Sequence, residues 1–344
     1  MRKRIALLLG AVLVFGLWGC GKTQEPVKSE TEEKIRIGII FDTFVVERWQ
    51  RDRDLFVATA QDLGADVYTQ NANGDPSRQE EMIRHFIKDD MDAIVVVAIE
   101  SDVIADEIQD AREAGIKVVS YDRLAMEANT DLYVSFDNVE VGVLMAEAFT
   151  ATLEPGDSVV MICGPESDGN TAMVQQGFLE TAEAYGLRIL DTAYAAEWEA
   201  EEAKKYVDEH VDLIREAKGI MCGNDNLAGS VIQALVENQL DTPVVVGQDG
   251  DLDACQRIVE GTQYMTVYKP VENLAKRAAE ATIELVKEGK VEYDTMISDG
   301  EYDVPYIMLK PVAVTRENIN ETIIDSGFHM KEDVYLNRPE EMPE

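Results

Sequence analysis

Residues 35–70 read IRIGIIFDTFVVERWQRDRDLFVATAQDLGADVYTQ, and the hydrophobic period changes twice within them. IRIGIIF (35–41) is a short β-branched apolar run of strand type. RWQRDRDLFVATAQDLG spaces its apolar residues by three and four, as an amphipathic helix does, and ADVYTQ (65–70) returns to strand. The same alternation continues through DAIVVVA (92–98), IKVVSYD (116–122) and LYVSFD (132–137). A second series follows: DSVVMICG (157–164), LRILDTAY (187–194), GIMCG (219–223), TPVVVGQD (242–249) and QYMTVY (263–268). Between them lie helical stretches such as PSRQEEMIRHFIKDD and AGSVIQALVENQ. Near-continuous Val/Ile strands separated by helices predict parallel sheets covered on both faces. Ten strands are too many for one small sheet of this kind, so the reading is α/β, with two doubly wound parallel-sheet domains.

Ligands of open α/β sheets sit at the carboxyl ends of the strands, and here those ends are polar. They carry Asp42, Asp122-Arg123, Asp137-Asn138, Asp168 to Asn170, Asn224-Asp225 and Asp249, with Trp49 and Trp198 nearby. Sugar hydroxyls are paired donors and acceptors that Asp, Asn and Arg match, and the C–H faces of a sugar ring pack flat on aromatic rings. Each residue also has a plainer reading. Asp or Asn after a strand is often a helix N-cap, which is the expectation for Asp225 and Asp251. Arg48, Arg51 and Arg53 could decorate a solvated helix face with Glu47, Asp52 and Asp54, and Trp49 could be core. The coincidence of so many such residues at one sheet edge favours a carbohydrate site.

The chain opens with Arg2, Lys3 and Arg4, then the apolar run Ile5 to Trp18, then Leu17-Trp18-Gly19-Cys20 and a polar stretch. The run is short for a membrane span and reads as a secretion signal over 1–19. The tetrapeptide resembles a bacterial lipobox, with Trp18 in place of the usual small residue. Cys20 is therefore the expected lipidation site, followed by a linker to residue 33, and the address is extracytoplasmic and membrane-anchored. With 31 basic and 67 acidic residues the formal charge is −36, a sign that excludes nucleic acid as a general partner. Cys163, Cys222 and Cys255 lack metal-ligand spacing and are expected as buried thiols, and the scattered His85, His210 and His329 suggest no zinc site. Nor is there a nucleophile motif. Asp122 and Asp249 could be cast as acid and base, but an enzyme is not the expectation.

ERWQRDRDLF (47–56), NANGD (71–75), YDR (121–123), VSFDN (134–138), GND (223–225), VGQDGDLD (246–253), GTQYMTVYKP (261–270) and DSGFH (325–329) carry a more specific signal. Through them the chain, from about Lys34 to His329, resembles the periplasmic binding proteins of the ribose type and, within those, the D-xylose-binding proteins of ABC transporters. The resemblance implies a type I clamp whose lobes are joined by three hinge crossings, near Asp137-Asn138, Tyr268 to Pro270 and Val304-Pro305. One domain would then comprise 34–137 plus 270–304 and the other 138–269 plus 305–330, leaving 331–344 as an acidic tail. It further implies that Arg48 donates to sugar hydroxyls with Trp49 on the ring face, and that Asp122 and Arg123 form an acceptor–donor pair. Asp168 and Asn170 correspond to a DNN stretch in which Gly169 replaces the middle residue. Asn224, Asp249 and Lys269 complete the set from the second domain. Trp198, or alternatively Tyr194, would cover the second ring face. The family's segment before ERW is polar and basic, whereas here it is Asp42-Thr43-Phe44-Val45-Val46. The implied protein is a monomer without cofactor that delivers a monosaccharide, D-xylose first, to an ABC permease and its ATPase. The alternatives are a sensor that signals to a membrane histidine kinase, or a binder of another pentose or hexose.

Overall fold

The structure is a computed structural model that describes residues 34–45 and 48–343. The expected signal peptide over 1–19, Cys20, the expected linker to residue 33, Val46 and Glu47 lie outside the described residues.

The first lobe begins β1 (Arg36–Phe41), α1 (Arg48–Asp62), β2 (Asp66–Asn71), α2 (Pro76–Lys88), β3 (Ala93–Val96), α3 (Ala105–Glu113), β4 (Lys117–Tyr121) and β5 (Leu132–Phe136). The second contains α4 (Asn138–Thr150), β6 (Ser158–Cys163), α5 (Gly169–Tyr185), β7 (Arg188–Tyr194), α6 (Ala200–Glu209), α7 (Val211–Glu216), β8 (Gly219–Cys222), α8 (Asp225–Glu237), β9 (Val244–Gln248), α9 (Leu252–Glu260) and β10 (Met265–Tyr268). The chain then returns to the first lobe with α10 (Val271–Glu288), β11 (Thr295–Ser298) and β12 (Asp303–Leu309), and ends in the second with β13 (Val312–Thr315) and α11 (Lys331–Val334). The sheet orders are β11-β12-β5-β4-β3-β1-β2 and β13-β10-β9-β8-β6-β7. In each, the first strand lies between the second and third, so the winding reverses there and opens a crevice at the carboxyl ends. β1, β3 and β4 are wholly or almost wholly buried, as strands covered on both faces should be.

Three differences from the sequence reading stand out. Both sheets are mixed, because β11 pairs antiparallel with β12 and β13 pairs antiparallel with β10. The last passage between sheets is at Lys310–Pro311 and not near Val304-Pro305, because β12 runs through those residues and pairs with β5. Pro305 reads as a strand breaker. It is tolerated because pairing to β5 begins only at Tyr306. The stretch 331–344 is more than an acidic tail. Val334 and Tyr335 pack with Cys255, Ile258, Ile323 and Phe328 in the second lobe, and the Tyr335 hydroxyl donates to Asn320 Oδ1 at 2.9 Å.

Helices α4 and α5 meet backbone to backbone. A Cβ on Gly142 would sit 2.0 Å from the Val174 carbonyl oxygen, and one on Gly177 would sit 2.0 Å from that of Val139. Only glycine permits this approach. The contact fixes the start of α5, with Asp168 and Asn170, against the start of α4 at the first passage between lobes. Helix α10 buries Leu274, Ala275 and Ala278 against Ile37, Phe56 and Val134, and so belongs to the first lobe's core.

Candidate functional site

The carboxyl ends of the two sheets face one another across a small cavity of about 30 Å³. The first lobe contributes Arg48 and Trp49 from the first turn of α1, and Asp122 and Arg123 from the end of β4. The second contributes Asp168 and Asn170 from the start of α5, Trp198 after β7, Asn224 after β8, Gln248 and Asp249 at the end of β9, and Lys269 after β10. The ten positions that the family resemblance assigns to the sugar thus line one cavity, and Gln248 joins them, whereas Asp42, Asp137, Asn138 and Asp225, also polar strand-end residues, do not line it.

Both arginines are buried and bridge the lobes. Arg48 Nη2 lies 2.9 Å from Asp122 Oδ2 and 3.3 Å from Asp52 Oδ1, while its Nη1 lies 3.7 Å from Asp249 Oδ1 in the other lobe. Arg123 Nη1 lies 2.6 Å from Asp42 Oδ2, and its Nε 2.9 Å from Asp168 Oδ2 across the cleft. Asn170 Nδ2 adds a third cross-lobe contact, donating to Asp122 Oδ1 at 3.1 Å. The Trp49 indole, 2% exposed, lies beneath both guanidiniums, 4.5 Å from that of Arg48 and 5.7 Å from that of Arg123. Such stacking on an aromatic face suits arginine and fixes its plane.

Asp122 and Asp249 both adopt left-handed backbone angles, φ 62° and 101°, which cost energy in a non-glycine residue and persist only where surroundings enforce them. The Asp122 carbonyl accepts from Tyr133 Oη at 2.8 Å, Ser135 Oγ at 2.7 Å and Asn170 Nδ2 at 3.1 Å. The turn after Asp249 is held by Asp225, whose Oδ2 accepts from the Gly250 and Asp251 amides and from Thr266 Oγ1 at 2.9, 3.1 and 2.7 Å. Asp225 therefore braces the neighbouring loop and is not the cap of α8. That cap is Asn224, whose Oδ1 accepts from the Leu227 amide at 2.9 Å. Capping and lining the cavity coexist at Asp168 as well. One of its oxygens accepts from the Asn170 amide at 2.9 Å, and the other serves Arg123 and the Trp198 indole N–H at 3.1 Å.

Trp198 reaches the cavity because Glu197 and Trp198 are both left-handed, φ 52° and 59°. Its indole also lies on Gly164, where a Cβ would sit 2.3 Å from the ring. Tyr194 points elsewhere, with its hydroxyl 3.0 Å from Gln175 Nε2 at the surface. The α1 charges divide. Arg53 and Asp54 form a 2.7 Å surface pair, whereas Arg48 and Asp52 are interior. Arg51 spans the lobes outside the cavity, donating to the Phe328 carbonyl at 2.7 Å and pairing with Glu272 at 2.7 Å. Gln248 escaped the sequence reading because it ends a valine-rich strand; its adjacency to Asp249 was the available signal.

Burial works to raise the Asp122 carboxyl, but Arg48, Lys269 and Arg123 outweigh it and hold it below the usual range. Burial lowers the Lys269 ammonium, which Asp122 and Asp249 only partly restore. The Asp122 carboxylate is thus kept charged as an acceptor beside cations. No cluster of three or more His, Cys, Asp or Glu side chains suited to a metal occurs among the described residues.

Comparison with known proteins adds independent findings. Residues 37–290 match the periplasmic binding protein domain. The chain is 36% identical over 341 residues to the D-xylose-binding periplasmic protein of Haemophilus influenzae, spanning 97% of this chain and 99% of that one. It is 35% identical over 308 residues to the D-xylose-binding periplasmic protein of Escherichia coli, spanning 88% and 93%. A solved carbohydrate transporter solute binding protein of Chloroflexus aurantiacus, in complex with D-glucose, matches with a TM-score of 0.81 at 26% identity over 88% of this chain and 98% of that one.

Asp52 gives the site's support a pH dependence. It is fully buried between Arg48 and the Tyr121 hydroxyl, which donates to it. Burial, only partly offset by Arg48 and Tyr121, raises its carboxyl to about 6. A carboxyl whose folded-state value exceeds its unfolded value of about 3.9 binds its proton more tightly in the folded chain. Its stabilisation is therefore full below pH ~4 and lost as pH rises through about 6, amounting to a few kcal/mol. Asp52→Asn, which mimics the protonated form, should gain in melting temperature relative to the wild type between pH 4 and pH 7. Parallel melting curves across that window would contradict this.

Proposed function

This chain belongs to the periplasmic binding protein family, and from that premise we propose that it captures D-xylose between its lobes and delivers it to an ABC permease and its ATPase. The observation that carries the reading is that Arg48 and Arg123 each join carboxylates of both lobes around one buried cavity. A cavity of about 30 Å³ holds little more than a water molecule, so a pentose enters only when the lobes part. Parting separates Arg48 from Asp249 and Arg123 from Asp168. Sugar hydroxyls then occupy the released donors and acceptors, the ring lies against Trp49 and Trp198, and the lobes reclose on it. The ligand favours closure by its greater affinity for the closed form.

Micromolar binding requires about −8 kcal/mol, or roughly −0.8 kcal/mol for each of a pentose's ten or so heavy atoms, within the ceiling for small ligands. Charged hydrogen bonds in a dry site supply that density. The relatives at 36% and 35% identity are D-xylose-binding proteins, which supports xylose over other pentoses. Pairing of Asp122 with Arg48 and of Asp168 with Arg123 suits hydrogen-bond acceptance better than proton transfer, which supports a binding role over catalysis.

Titration calorimetry of the mature protein should give tight binding of D-xylose and at least tenfold weaker binding of D-ribose. Equal affinities, or no heat with xylose, would reject the assignment. The anchor is tested separately. Expressed in a bacterial host with an alkyne fatty acid, the chain should take up label at Cys20 and partition with membranes, and Cys20→Ser should lose both. Label retained in that variant, or absent from the wild type, would remove the lipid anchor from the account.

A further inference from the structure

Two residues lining the cavity carry a buried polar atom without a hydrogen-bond partner, Trp49 at its indole N–H and Gln248 at its amide oxygen, and of the two only Gln248 offers an acceptor. It is 3% exposed, lines the cavity and closes β9. Its Nε2 donates to the Gly223 carbonyl. A carbonyl can only accept, so this bond fixes which end of the amide is which. Oε1 is then oriented by the fold, buried, and without a hydrogen-bond partner. The other amide carbonyls of the cavity differ. Asn224 Oδ1 takes the Leu227 amide, and Asn170 Oδ1 takes Asn138 Nδ2 at 2.9 Å. The carboxylates Asp122 and Asp168 are committed to arginines.

A buried carbonyl oxygen left unpaired opposes folding unless something supplies a donor. The bond to Gly223 accounts for the Nε2 end of the amide and leaves Oε1 without a structural role. We propose that Gln248 is a specificity-determining residue of the site, its Oε1 accepting a hydrogen bond from one hydroxyl of the bound monosaccharide. The inference rests on the sugar-binding reading and deepens it. A neutral, immobile acceptor discriminates by leaving itself unpaired against any ligand that lacks a hydroxyl at that position.

The test is a deoxy scan by calorimetry, with D-xylose and its monodeoxy analogues against the wild type and Gln248→Met, a substitution of similar volume that lacks both amide ends. In the wild type, one analogue should bind roughly five- to tenfold more weakly through the hydroxyl that Oε1 accepts. In Gln248→Met the penalty for that analogue should fall to near unity, while penalties at the other positions remain. If the variant instead weakens every ligand by a common factor, Gln248 only shapes the site or holds a water, and the proposal is overturned. Should loss of the Gly223 contact prevent Gln248→Met from folding, Gln248→Lys keeps a donor for the Gly223 carbonyl while removing the acceptor, and the same analogue's penalty should again fall to near unity. An unchanged penalty there also overturns the proposal. If the wild type binds another aldose but not xylose, the xylose assignment fails, and the scan proceeds on deoxy forms of the aldose that binds. Binding of no monosaccharide defeats both.

Discussion

Two guanidinium groups buried at the meeting point of two sheets set the terms for the rest of the molecule. A buried charge is tolerated only when paired and hydrogen-bonded, and removing one partner from such a pair costs several kcal/mol. Neither arginine has its full complement of partners within its own lobe. Arg48 takes Asp122 and Asp52 from the first lobe and Asp249 from the second; Arg123 takes Asp42 from the first and Asp168 from the second. Closure is therefore coupled to charge satisfaction, and anything that enters the cleft must replace what it displaces. A polyhydroxylated ring does so with little penalty, whereas an apolar molecule of the same size would leave the charges bare.

The surrounding architecture reads as support for that arrangement. Left-handed Asp122 and Asp249 aim their carboxylates at Arg48 from opposite sheets, and separate hydrogen-bond sets brace each turn, centred on Tyr133 and Ser135 in one lobe and Asp225 in the other. The glycine contact between α4 and α5 places Asn170 where it can reach Asp122. Arg51, reaching Phe328 and Glu272 outside the cavity, adds a contact between lobes that excludes the ligand altogether.

Much of this was legible in the chain because the strongest signals are local. Valine- and isoleucine-rich runs mark buried parallel strands, and polar residues at their ends mark the crevice. The failures share a cause: residues whose meaning depends on distant partners. β11 is largely exposed and β12 contains a proline, so neither shows the expected pattern until the pairing of β12 with β5 and of β11 with β12 is known. Asp52, four residues from Arg48 on a polar helix, reads as half of a solvated pair; its burial follows from Tyr121, brought over it by the sheet. Gln248 looked like the end of a strand. Lys269 came from family resemblance alone, since nothing in its local pattern distinguishes it from a surface lysine. Val334 and Tyr335 were masked by the acidic residues around them.

The central claim is that the lobes close around a sugar that takes over their shared charges, and small-angle X-ray scattering of residues 34–344 with and without saturating D-xylose tests it most directly. The account predicts a radius of gyration that falls on addition of xylose, with a midpoint matching the binding affinity and no fall on addition of a non-binding pentose. A radius unchanged at saturation would mean a rigid site, and the coupling of closure to the cross-lobe pairs would be contradicted.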